Sequence, residues 1–188
     1  MGDIAMTYFN TILILIVAFV VVFLEATANG VRHLLGAQVD LLPSLIVYAS
    51  LSAGLVTVAL LSVCGGLWFD SLSANPLGVS VLPLFLIGFI IHRYHGLILR
   101  DQTFAQLVLG LAAGAAAPLL TMLLLLNTER QPLFGWFSLW QWLVMSVFAA
   151  AVTPVWFRVF DRLVHALTYR PFGETSFRPD RQIKRGRM

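Results

Sequence analysis

The chain has 188 residues, 59% of them apolar and only 11% charged, with a mean hydropathy of +0.87; soluble domains run near 45–50% apolar and roughly 25% charged. A chain this short cannot hide so many apolar side chains from water in one core, which excludes a water-soluble globular domain and makes lipid the expected solvent. The net charge of +3 belongs to one end: Arg170, Arg178, Arg181, Lys184, Arg185 and Arg187 are half of the 12 basic residues, opposed there by Glu174 and Asp180 alone.

In chain order, Tyr8 to Ala26 is apolar apart from Asn10, Thr11 and Glu25, long enough to cross a hydrocarbon core of about 30 Å as a helix. It reads as a first transmembrane helix rather than a signal peptide, because its leading residues offer Asp3 and no Lys or Arg. A polar connection, Thr27 to Asp40, carries Arg32 and His33. Leu41 to Phe69 is then 29 residues without a charge. That is too long for one untilted span and too short for two full ones. Ser50, Ser52 and Gly54 at its centre favour a short helix from Pro43 followed by a second helix, while one tilted helix remains open. Asp70 to Pro76 is a turn by composition, with Asn75-Pro76 its strongest punctuation. Leu77 to Ile91 makes the next span, the connection from His92 to Asp101 follows, and Phe104 to Leu126 is the cleanest span in the chain. After the loop Asn127 to Ser138 comes a last span, begun by Trp136, Trp140 and Trp142 as indoles mark a membrane interface.

The expected architecture is an all-α polytopic bundle over residues 1–166, with spans at about 8–26, 42–51, 54–69, 77–92, 104–126 and 139–162, and a basic tail at 167–188. The positive-inside rule puts that tail in the cytoplasm. Five spans instead of six would move the N-terminus to the other side. The tail is disordered by composition and attracted to anionic lipid; with no folded basic face or aromatic platform, nucleic-acid binding is not expected.

Few residues offer chemistry. Cys64 has no second thiol and sits in an apolar run, so it reads as a packing residue. No nucleophile elbow, zinc-protease, dinucleotide or phosphate-loop motif occurs, and no catalytic residue, metal site or cofactor is expected. His92 and His95 read as an interfacial pair beside Arg93; Glu25 and Asp70, near helix ends, read as interface anchors, with a partnered structural role as the alternative, more for Asp70 than for Glu25. Small residues say more. Gly110 and Gly114, continued by Ala117 and Pro118, strip one helix side of bulk, and Ala149 to Ala151 do so on the last span, whose Pro154 should loosen the helix upstream. That face could serve packing within one bundle or contact with another protein.

Asp40 to Arg93 resembles the bacterial rod shape-determining protein family MreD. The resemblance is carried by Asp40 and Pro43 with the run to Tyr48, by Gly65, Gly66, Asp70 and Ser73 leading into Pro76 and Gly78, and by Gly88 through Arg93. Thr153-Pro154 followed by Phe157 to Leu163 is similar to the family's closing helix. The resemblance implies a six-helix bundle like the substrate-binding subunits of energy-coupling-factor vitamin transporters. It also implies a non-catalytic scaffold in the cytoplasmic membrane that serves peptidoglycan synthesis during elongation. Its partners would be an MreC-like membrane protein, the MreB filament and the RodA/penicillin-binding protein pair. Two other readings compete. A vitamin-transporter subunit would want Ala-x-x-x-Ala on the first helix, where Thr7 to Leu24 holds only Ala18. A membrane enzyme acting on lipid-linked substrates would have only His92, His95 and Asp70 to work with.

Overall fold

The computed structural model describes residues 2–27, 40–73, 76–98, 102–126 and 136–168. These form six α-helices: α1 (Gly2–Thr27), α2 (Leu42–Ser52), α3 (Leu55–Leu72), α4 (Val81–Arg93), α5 (Thr103–Leu126) and α6 (Trp136–Thr168), with a short 3-10 turn at His95–Leu97. Among the described residues there is no strand. The connections 28–39 and 127–135, and the tail from residue 169, lie outside the described residues.

Four stretches, Tyr8–Thr27, Leu55–Leu72, Thr103–Leu126 and Ser138–Val164, are long and apolar enough to cross a membrane. The chain is accordingly a multi-pass membrane protein by length and composition. Helices α2 and α4 are shorter, at 11 and 13 residues, or about 16 and 20 Å at 1.5 Å per residue, against the roughly 30 Å of a bilayer core. The long apolar stretch from Leu41 is divided between α2 and α3 by Ala53 and Gly54, both with extended backbone. The Ala53 amide donates to the Ala49 carbonyl and closes α2, while the Gly54 carbonyl accepts from Thr57 and Val58 and opens α3.

Side-chain pairs fix the helix directions. Thr11 bonds Thr57 at 2.8 Å and Phe19 meets Trp68 edge-on at 5.2 Å, so α1 and α3 run the same way. Trp156 donates its indole N–H to Ser44 at 3.0 Å, and Tyr48 stacks on Phe160 at 4.3 Å, so α2 and α6 are parallel. Gly66 lies against Val81 and Gly88 against Val58, which makes α3 and α4 antiparallel; Gly110 faces Thr153 and Gly114 faces Ser146, which does the same for α5 and α6. Successive helices therefore alternate in direction. One end of the bundle holds Thr27, Asp40, the α3–α4 turn and Leu126. The other holds Gly2, the α2–α3 break, His92 and Thr168.

Helix α2 is the central element. Every residue from Leu42 to Ser50 is buried, and α2 touches each of the other five helices. An 11-residue helix too short to span is thereby shielded from lipid by its neighbours. Outward faces are apolar: Ile12, Ile16, Phe19 and Phe23 form a stripe along α1 at helical spacing, each about half exposed. Lipid is as apolar as these side chains, so hydrophobic burial does not hold the helices to one another; close packing and interhelical hydrogen bonds do.

Candidate functional site

The residues singled out by sequence fall into two groups. Asp40, Pro43, Gly65, Gly66, Asp70, Ser73, Pro76 and Gly78 gather at the end of the bundle where α2 begins, α3 ends and α4 begins. Gly110, Gly114, Ala117, Pro118 and Pro154 lie in the α5–α6 hairpin.

Asp70 organises the first group. It sits in the last turn of α3 and is 1% exposed. Its Oδ2 accepts the backbone N–H of Gly78 at 2.8 Å and of Ser80 at 3.1 Å, and its Oδ1 accepts the Ser80 hydroxyl at 2.5 Å. Both oxygens are thus committed to the turn that starts α4. Gly78 takes a left-handed φ of +89°, a conformation side-chain-bearing residues avoid, and this aims its amide at the carboxyl. The Pro76 carbonyl accepts from Val79 and the Gly78 carbonyl from Val81, which winds residues 76–80 into overlapping turns. For this reason α4 begins at Val81 rather than at Leu77, where hydropathy alone starts it. Ser73 closes α3, its amide and hydroxyl both donating to the Asp70 carbonyl. Of the two readings of Asp70, the interface anchor gives way to the partnered structural one: the side chain is a buried fastener, because the turn supplies three donors in place of water.

Two more carboxyls hold the start of α2. Asp40 Oδ1 accepts the Leu42 N–H at 2.9 Å, and Glu25 Oε1, reaching from α1, accepts the Leu41 N–H at 2.6 Å. The amides at a helix start lack intrahelical partners and carry positive partial charge, so carboxyl oxygens are favoured there. Pro43 follows, with no N–H to satisfy. Burial pushes the Asp40 carboxyl above its ordinary range; the Leu42 amide pulls it back and the nearby Asp70 carboxyl adds to the rise. Gly65 sits against Leu42, where a Cβ would come within 3.1 Å of its side chain, and a Cβ on Gly66 would fall 2.9 Å from the Val81 Cα. The two glycines let the starts of α2 and α4 close on α3.

Sequence reasoning missed Ser80 and ranked the interface-anchor reading of Glu25 above a fastening role. Ser80 stands two residues beyond the glycine of the recognised block, and Glu25 is the only acid in its apolar run; each was visible as a departure from its surroundings. Ser44 and Trp156, which tie α2 to α6 across 112 positions, left no local signal.

In the second group the small residues of α5 meet α6 of the same chain. A Cβ on Gly110 would lie on the Thr153 hydroxyl and 2.8 Å from the Ala149 carbonyl, and one on Gly114 would lie 2.6 Å from the Ala149 Cβ. Ala117 is buried. The question left open by sequence is answered: this face is consumed by internal packing. Pro118 and Pro154 both sit inside helices that continue past them. Near each, a neighbouring donor takes up a carbonyl: Trp142 bonds Ala115 at 2.9 Å, and Thr153 bonds Ala149 at 2.7 Å.

At the far end of the bundle, His92 is half-buried and donates Nδ1–H to the Ser50 carbonyl at 3.1 Å, capping the end of α2. His95 does the same to the His92 carbonyl at 2.6 Å, and the two rings stack. Asp70 and the histidines are thus separated by the length of α4, about 18 Å for its 12 intervening steps, and do not share a site. Cys64 is half-buried in α3. No group of three or more His, Cys, Asp or Glu among the described residues is placed to hold a metal ion. No protein-family model, curated protein or solved structure matches the chain.

Proposed function

We propose that this chain is a non-catalytic membrane scaffold of the bacterial cell-elongation machinery, of the MreD kind, with the architecture of the energy-coupling-factor substrate-binding subunits. The observation that carries the reading is the Asp70 cap. The residues on which the resemblance rests gather at one end of the bundle, where Asp70 ties the end of α3 to the turn that begins α4 and Gly65 and Gly66 let the starts of α2 and α4 close on α3, and both oxygens of the buried carboxyl are bonded to that turn. Such an arrangement sets the spacing of helices. In this reading the outward helix faces and the loops at the cap end meet an MreC-like single-span protein and the RodA/penicillin-binding protein pair, and the opposite end faces the MreB filament. With the Gly110–Gly114 face already occupied by α6, partner contacts fall on other faces. A tagged copy extracted in mild detergent is expected to carry with it a single-span protein with a periplasmic coiled coil. Capture of an ATP-hydrolysing coupling module instead would favour the vitamin-transporter reading.

The proposed location is the cytoplasmic membrane, with the cap end outside and the His92 end inside. Arg93, Arg158 and Arg162 cluster towards the His92 end, and the basic tail continues from it, which is the asymmetry the positive-inside rule requires. The alternation of six helices brings Gly2 to the same end. Single cysteines on a Cys64→Ala background test this. Leu77, 71% exposed at the cap, is expected as Leu77→Cys to react with an impermeant maleimide in intact cells. Gly54→Cys, at an exposed site with no atom within 4 Å of the added Cβ, should react only after permeabilisation. The reverse pattern would invert the orientation.

A further inference from the structure

We draw no further inference here: the strongest candidate, the apolar groove of about 660 Å³ between the cap-end halves of α5 and α6, lined by Pro118, Met122, Gln141 and Trp142 among others, is an unpartnered membrane-facing surface and nothing in the structure shows what covers it.

Discussion

Replacing Asp70 by Ala is expected to produce the largest loss of stability of any single polar substitution at the cap. The change removes the acceptor of three hydrogen bonds and leaves the Gly78 and Ser80 amides without their partner at a buried site. Each buried donor stranded in this way costs about 1–3 kcal/mol, so a total of roughly 3–5 kcal/mol follows. Asp70→Asn keeps both backbone bonds on its amide oxygen and can reverse the third, its NH2 donating to the Ser80 hydroxyl, so only the charge assistance is lost and the cost should be about 1 kcal/mol. Ser80→Ala removes a single bond and should cost about 1 kcal/mol. The thermal unfolding midpoint of the detergent-purified protein should therefore fall most for Asp70→Ala and by much less for Ser80→Ala and Asp70→Asn. An Asp70→Ala protein as stable as wild type would remove the cap from the account.

The second large effect is expected in the α5–α6 hairpin. Gly110 has the Thr153 hydroxyl and the Ala149 carbonyl where a side chain would begin, and the obstruction on one side is helix backbone, which cannot rotate away. Gly110→Val should force the helices apart at the cost of about 3 kcal/mol, the upper part of the range for overpacking. Gly114→Ala, meeting the Ala149 Cβ at 2.6 Å with the Ser146 Cα and the Met145 carbonyl at 3.1 and 3.2 Å, should cost about 2 kcal/mol, because none of these atoms can rotate away and only a single methyl is added. Gly54→Ala, with nothing within 4 Å, is the matched control and should stay within about 0.5 kcal/mol of wild type. Melting curves of the three variants distinguish this packing role from a role in assembly. A face used only to bind a partner would tolerate Gly110→Val in the isolated protein and fail in the complex.

The glycines and prolines were legible in the sequence because they violate a local expectation. A Gly-x-x-x-Gly pattern in a helix of bulky residues needs a close neighbour, and α6 is that neighbour. The division of the long apolar stretch was legible for a similar reason: its length fitted neither one span nor two, and the break falls at Gly54, one of the small residues at its centre. What the sequence could not display was distance. Hydropathy starts the fourth helix at Leu77, yet the helix begins at Val81, because Asp70 holds the intervening residues as a turn. Nothing in an apolar window reports a hydrogen bond to a residue several positions before it. For Glu25 and Asp70 the interface-anchor reading outweighs the structural one on sequence alone, because an acid near a helix end has a ready solvent in the headgroups. Here they find backbone amides instead, and only the folded arrangement of α1, α2 and the α3–α4 turn provides them. The pairing of Ser44 with Trp156 belongs to the same class, since the two helices it joins are adjacent only in space.

The fold also bears on how a scaffold of this kind would work. Its central helix is short, wholly buried and secured at both ends: by Asp40 and Glu25 at one, and by the His92 ring at the other. The other five helices surround it and carry the exposed apolar side chains. A rigid centre with apolar outer faces suits a protein that holds others at fixed positions in the membrane, and no step of that work needs a reactive group.

The proposed scaffold role is tested most directly by depleting the protein in the cells that encode it, while following cell shape and vitamin uptake together. Loss of the rod form, with cells rounding and widening as the protein is diluted and uptake unchanged, is the predicted result; it should be reversed by wild type and not by Asp70→Ala. Cells that keep their shape while uptake of a vitamin collapses would contradict the account and put the transporter reading in its place.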